Sequence, residues 1–226
     1  MHKAVKIRSI TEQIYEHLSN SIIEGIIRPG EKLLENDLSS QFGISRSPLR
    51  ECFRILEGEG LVVIHPRRGV FVREFKSKDI ENVFQVRAAL EGLAASVAVQ
   101  NIGKKEIGMF GHLIVEMEKA LDKNDIKSFL GYNYTFHSIF IKLANNEVLE
   151  RTLKNLGKGI WLRIAFLYYK SPSGLYVSNR MHKGILKAFE EKDSLAAKKI
   201  VEEHMEQAKE ELISEINNTG HVPSYG

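Results

Sequence analysis

Residues Glu35–Glu57, ENDLSSQFGISRSPLRECFRILE, decide how the chain is read. They describe two short helices joined by a tight turn. Leu34, Leu38 and Phe42 stand four residues apart and predict one apolar stripe. Gly43 supplies the left-handed residue that closes a helix. Ile44 comes next, and Ser45 or Ser47 can cap the second helix, with Pro48 inside its first turn, where a missing N–H costs little. Leu49, Cys52, Phe53 and Leu56 then recur at helical spacing and predict a core-facing side. Arg46, Arg50 and Arg54, also four apart, share another face. Three arginines alone more often mark a solvated amphipathic helix. The glycine turn before them and the segment after them turn the reading toward a DNA recognition helix, packed on one side and basic on the other.

Upstream, a helix is predicted over Ser9–Ile27, with Ile10, Ile14, Leu18, Ile22 and Ile26 at a four-residue repeat, and Arg28-Pro29-Gly30 as the turn that ends it. Downstream, Gly60 breaks the arginine helix. Leu61–Ile64 has strand character, His65-Pro66-Arg67-Arg68-Gly69 is a loop, and Val70-Phe71-Val72 is a second strand. Three helices followed by a two-stranded hairpin with a basic tip make a winged helix-turn-helix. Residues 1–74 form that head and 75–78 a linker, with Ser77 as the N-cap of the next helix.

From there the pattern is helical, with helices predicted near Ser77–Asn101, Lys104–Lys123, Ile126–Ala144, Val148–Tyr169, Gly174–Glu191 and Ser194–Ile216. The fold class is therefore mainly α: the winged head plus an all-α antiparallel bundle over 79–216, whose core is a natural place for a ligand between facing helices. Residues 217–226 form a disordered tail.

Composition narrows the field without choosing a function. The 226 residues suffice for one large domain or two modest ones, and the formal charge of +3 is too small to argue for nucleic acid. No apolar run approaches the roughly 18 residues needed to cross a bilayer. Cys52 is the only cysteine, so no intrachain disulfide forms, and a reducing cytoplasm is the expected location.

In the bundle, Asn133 and His137 stand one turn apart, while His182 and His204 lie on later helices. Three neutral imidazoles and an oxygen suit a divalent ion, zinc ahead of nickel or manganese. Any single histidine is more often a core or surface residue, and His2, His17, His112 and His221 are read that way. Arg87 with Glu91 reads either as a surface i, i+4 ion pair or as a guanidinium that forks a ligand carboxylate. Arg163 invites the same two readings. Trp161, Phe166, Tyr168 and Tyr169 read as packing.

Taken together, IIEGIIRPGEKLLENDLSSQFGISRSPLRECFRILEGEGLVVIHPRRGVFV, then VRAALEGLAA, NYTFH, RMHKGILKAFEEKD and EEHM, resemble a GntR-type bacterial transcription regulator of the FCD branch over essentially the whole chain. The resemblance implies DNA contacts at Asn36, Ser45, Arg46, Ser47 and Arg50. It also implies contacts at the wing positions His65 and Gly69 with their neighbours Arg67 and Arg68. Metal-binding relatives carry an Asp one turn before the first histidine; Asn133 stands there, which removes a charge from the ligand set His137, His182 and His204. Arg87 and Arg163 match positions that bind an effector carboxylate. The expectation is a homodimeric repressor, not an enzyme, with operator DNA and a small organic acid as partners and no membrane association. Two rivals stand beside it: a metal-free regulator with an apolar effector or none, and a metal-dependent enzyme carrying a DNA-binding head.

Overall fold

A computed structural model describes residues 9–23, 25–74, 76–156 and 173–218. Among them the chain divides into two compact units at Glu74.

The first unit begins with α1 (Ile10–Ile23), which ends four residues before the predicted point; Gly25 comes soon after with φ +72°. Ile14 and Leu18 are buried, whereas Ile10 and Ile26 are exposed. A four-residue repeat advances about 400° per step, so it drifts some 40° around a 3.6-residue helix each time. Ile10 therefore leaves the core face that Ile14 and Leu18 occupy, and Ile26 lies beyond the helix, after Gly25. Next come β1 (Lys32–Leu33), α2 (Glu35–Phe42) and α3 (Arg46–Gly58). The wing is β2 (Val62–His65) and β3 (Gly69–Val72), antiparallel, with His65 opposite Gly69. The sheet has three strands where the pattern predicts two, because β1 pairs with β3 through Lys32–Phe71 and Leu33–Val70. Two residues are too few for a period-2 signal.

A single core of Leu18, Leu33, Leu49, Cys52, Phe53, Leu56, Val62 and Val72 holds α1, α3 and the sheet together, with Leu38 and Phe42 packed at its edge. Leu34 departs from the predicted stripe: it precedes α2 and is exposed.

The second unit is helical throughout its described residues: α4 (Ser77–Asn101), α5 (Lys104–Asp122), α6 (Ile126–Leu143), α7 (Glu147–Leu156), α8 (Ser173–Glu190) and α9 (Ser194–Asn218). Lys76, not Ser77, caps α4, and its N–H donates to Asp79 Oδ2 at 2.9 Å. Asp125 caps α6 by accepting from Ser128 N at 3.0 Å. α9 extends through Asn217 and Asn218, which the pattern assigned to the tail; residues 219–226 lie outside the described residues.

α4 runs antiparallel along α9, with Ser77 bonded to Asn217 at one end and Gln100 to Ser194 at the other. α5 packs on α6 and α8, and α6 on α4. Phe110, Phe136, Phe140 and Phe189 fill the bundle core, with the rings of Phe110 and Phe136 4.6 Å apart. No described helix is long and apolar enough to cross a membrane.

Candidate functional site

Two places in the molecule concentrate chemistry, one in each unit. In the head, α2 ends at Gly43 in the left-handed conformation (φ +63°), and Ile44 N donates back to Ser39 O at 3.1 Å. This turn launches α3 so that Leu49, Cys52, Phe53 and Leu56 enter the core. Arg46, Arg50 and Arg54 are consequently exposed, as are Asn36, Ser45 and Ser47. Ser45 caps α3 by backbone geometry alone, without a side-chain cap bond.

At the wing tip His65, Arg67 and Arg68 are exposed and Gly69 half-buried. Arg68 N closes the turn onto His65 O at 3.1 Å, and Arg67 takes φ +63°. Gly69 (φ +110°) is tight against Lys32, since a Cβ there would come within 2.9 Å of Lys32 Cε.

Sequence reasoning missed the partner of Arg50. Its Nε and Nη2 donate to the Glu35 carboxylate at 2.9–3.1 Å, a bidentate pair across the helix-turn-helix. The carboxylate raises the Arg50 pKa further. Fifteen residues separate the two, and no periodic signal links them.

In the bundle, His137 from α6, His182 from α8 and His204 from α9 are all buried, and one nitrogen of each lies within 4.8 Å of the others. His137 Nε2 and His182 Nε2 are 3.3 Å apart. That is close to the roughly 3.3 Å between two nitrogens sharing a tetrahedral zinc at about 2.0–2.1 Å each. Burial, then the neighbouring His204 and His137, hold the His182 ring well below the ordinary histidine pKa. Burial and His137 bring His204 down to about 3, against the opposing pull of Glu91. Neutral rings keep their lone pairs for a ligand. Among the described residues, the Nδ1 atoms of His182 and His204 and the Oδ1 of Asn133, all buried, have no hydrogen-bond partner. Three imidazoles and an orphaned amide oxygen fit a borderline divalent ion.

Glu91 organises the rest. The surface ion-pair reading of Arg87–Glu91 is overturned, because both side chains are buried. Arg87 donates to Glu91 Oε1 through Nε at 2.8 Å and also through Nη2. Glu91 Oε2 meets His137 Nδ1 at 2.7 Å. Burial alone would raise this carboxyl, but Arg87 and His137 outweigh it and hold it at about 2. A carboxylate acceptor puts a proton on His137 Nδ1, so Nε2, 3.3 Å from His182 Nε2, is the atom turned toward the other rings. The spacing of Arg87 and Glu91 was visible in the sequence; their joint attachment to His137 was not. Arg163, Trp161, Phe166, Tyr168 and Tyr169 lie outside the described residues.

Comparison with known proteins agrees with this division. The gntR-family model of bacterial regulatory proteins matches residues 10–72, and the FCD domain model matches residues 82–207, more than half of the chain. An uncharacterized HTH-type transcriptional regulator of Bacillus subtilis, YdhC, is 29% identical over 202 residues, covering 88% of this chain and 89% of that protein. The Escherichia coli HTH-type transcriptional repressor RspR is 26% identical, covering 90% and 89%. Among solved structures, E. coli McbR/YncC has the same fold with a TM-score of 0.72 at 22% identity, covering 92% of this chain and 99% of that one. These relatives are transcription regulators and not enzymes. The chain belongs to the gntR family of bacterial regulatory proteins, with an FCD domain as its second half.

Proposed function

We propose that the chain is a ligand-responsive transcription regulator that represses from operator DNA and releases it when a small organic acid binds the bundle. One observation carries the reading: the same chain has an exposed arginine face on α3 and a buried, oriented three-histidine cluster in its second unit. Arg46 and Arg50 enter the major groove, and Asn36, Ser45 and Ser47 hold the backbone beside them. His65, Arg67, Arg68 and Gly69 bring the wing against phosphates or the minor groove. Two heads in a homodimer read half-sites one helical turn apart, about 34 Å in the simplest arrangement. The exposed apolar residues Val86, Leu93 and Val97 on α4 support a second copy as partner.

His137, His182, His204 and the Asn133 amide oxygen hold the ion. A divalent ion held there would supply a positive centre for a carboxylate. Glu91 keeps His137 in the tautomer that presents Nε2 inward. Arg87, carried on Glu91, borders the carboxylate's approach, and Arg163 is the second candidate for gripping it. The acid switches the protein only by binding one arrangement more tightly than the other.

The test uses a duplex selected from a random library and fluorescence anisotropy on zinc-loaded and metal-free protein, with and without a panel of organic acids. An acid that weakens operator binding of the zinc-loaded form is the expected result; equal affinities under every condition overturn the switch. Elemental analysis of the purified protein and of His182→Ala separates this reading from a metal-free regulator: the ion should accompany the first and be lost from the second.

A further inference from the structure

We infer that Lys32, on β1 and outside the hairpin, is a further DNA contact: its ammonium grips a backbone phosphate beside the wing tip, from a seat formed by Phe71 and Gly69. This rests on the head being the DNA-binding unit.

The register of the sheet places the lysine. Lys32 stands opposite Phe71, Phe71 opposite Val63, and Gly69 opposite His65. Side chains alternate along a strand, so these five residues belong to one face. Leu33, Val62, Val70 and Val72 belong to the other face and are buried in the core of the head. The face that carries Lys32 is therefore the outer one, and Lys32 and His65 are exposed on it.

The lysine leans toward the tip. Its Nζ lies 5.6 Å from the centre of the Phe71 ring. A Cβ on Gly69 would come within 2.9 Å of Lys32 Cε and 3.7 Å of Nζ. Gly69 stands two residues, roughly 6.8 Å, nearer the tip than Phe71, so the stem runs along β3 in that direction. The His65 ring packs edge-on against the same Phe71 ring, with centroids 5.6 Å apart. One aromatic ring thus carries Lys32 and His65 side by side. A stem already packed on its neighbours has less freedom to lose when its charged end binds. The missing side chain of Gly69 is the space that this stem occupies.

The charge is also available. Among the described residues no carboxylate pairs with Lys32. Glu31, its chain neighbour, turns back to accept from Arg28 N at 3.0 Å, and Glu57 accepts from Ile64 N at 3.0 Å. An aromatic face attracts a cation without neutralising it, and the ammonium keeps N–H donors for a phosphate. Arg50, by contrast, must leave Glu35 to meet DNA. A lysine binds phosphate as a point charge and carries no base preference, so Lys32 adds affinity and not specificity.

The experiment measures binding of full-length protein to the selected operator duplex and to an unrelated duplex over a series of salt concentrations. Lys32→Met keeps a stem to pack on Phe71 and Gly69 and removes only the charge. It should reduce the slope of log affinity against log salt by about 0.9, which weakens binding roughly eightfold at 0.1 M salt. The loss should be equal for the two duplexes, with the urea midpoint unchanged, and Lys32→Arg should restore the slope. An unchanged slope, a loss confined to the operator, or a slope that Lys32→Arg does not restore overturns the contact. Arg50→Ala run alongside separates the readings: if it weakens operator binding and Lys32→Met changes nothing, this contact fails and the head reading stands. Wild-type protein that binds neither duplex overturns both.

Discussion

The head and the bundle each contain an arginine–glutamate pair in which Nε and Nη2 both donate to the carboxylate, and the two sit in opposite surroundings. Arg50 and Glu35 keep 61% and 29% of their side-chain surface in contact with solvent; Arg87 and Glu91 keep 4% and 1%. An exposed pair is screened by water and salt, so its guanidinium can exchange one anion for another at little expense. That suits a side chain that must trade a carboxylate for DNA. A buried pair has no such exchange, because removing either partner strands the other in low dielectric. The Arg87–Glu91 pair is therefore fixed architecture, and it reaches the histidine cluster through Glu91 on His137.

The most severe break of this contrast is Glu91→Ala. It removes the carboxylate from Arg87 and from His137 Nδ1 together. It should lower unfolding free energy by about 3–5 kcal/mol, measured by urea denaturation of metal-free protein. Replacing the pair jointly, Arg87→Met with Glu91→Leu, should recover much of that loss while zinc binding stays weak, since His137 then has no carboxylate to orient it. A single substitution that leaves the urea midpoint unchanged would mean the pair is not buried as described.

For the exposed pair the ranking of effects reverses. Arg50→Ala should leave the urea midpoint nearly unmoved and weaken operator binding roughly 5- to 150-fold. Glu35→Ala should spare stability as well. It removes the anion that competes for Arg50, so binding to unrelated duplex should strengthen relative to the operator. If instead Glu35→Ala weakens operator binding as much as Arg50→Ala does, the carboxylate positions the guanidinium on DNA and is not merely exchanged for it.

The cores of the two units are closed alike, which Cys52 makes measurable. It is fully buried beneath α3, and burial pushes its thiol up to about 11. At pH 8 almost none of it is thiolate. A thiol reagent should therefore label native protein only at the rate of opening, and denaturant should restore ordinary reactivity. Rapid labelling under native conditions would show that the α3 core opens readily.

What could be read from sequence divides along the same line. Faces of helices were legible: Leu49, Cys52, Phe53 and Leu56 are buried and Arg46, Arg50 and Arg54 exposed, because a 3.6-residue period states its own sidedness. The convergence of His137, His182 and His204 was only weakly legible, since spacing along three separate helices carries no distance, and the family resemblance strengthened it. The burial of Glu91 was illegible, because an i, i+4 arginine–glutamate pair has the same spacing in water and in a core. β1 was too short to show a period, and the pairing of Glu35 with Arg50 depends on the angle between α2 and α3, which no local pattern encodes.

The smallest expected effect sharpens the contrast at the wing. Arg67 holds φ +63° at the hairpin tip, a conformation in which an L side chain crowds its own backbone. Glycine relieves that crowding but gains more freedom in the unfolded chain, so Arg67→Gly should raise stability by no more than about 1 kcal/mol. If the exposed guanidinium meets a phosphate, the same substitution should weaken specific and nonspecific duplex binding together and reduce the salt slope by about 1. A strained, charged residue kept at an exposed tip would then be a stability loss retained for DNA. Unchanged binding with increased stability would move the wing contact to Arg68, whose backbone N–H closes the turn and whose side chain stands in water beside it.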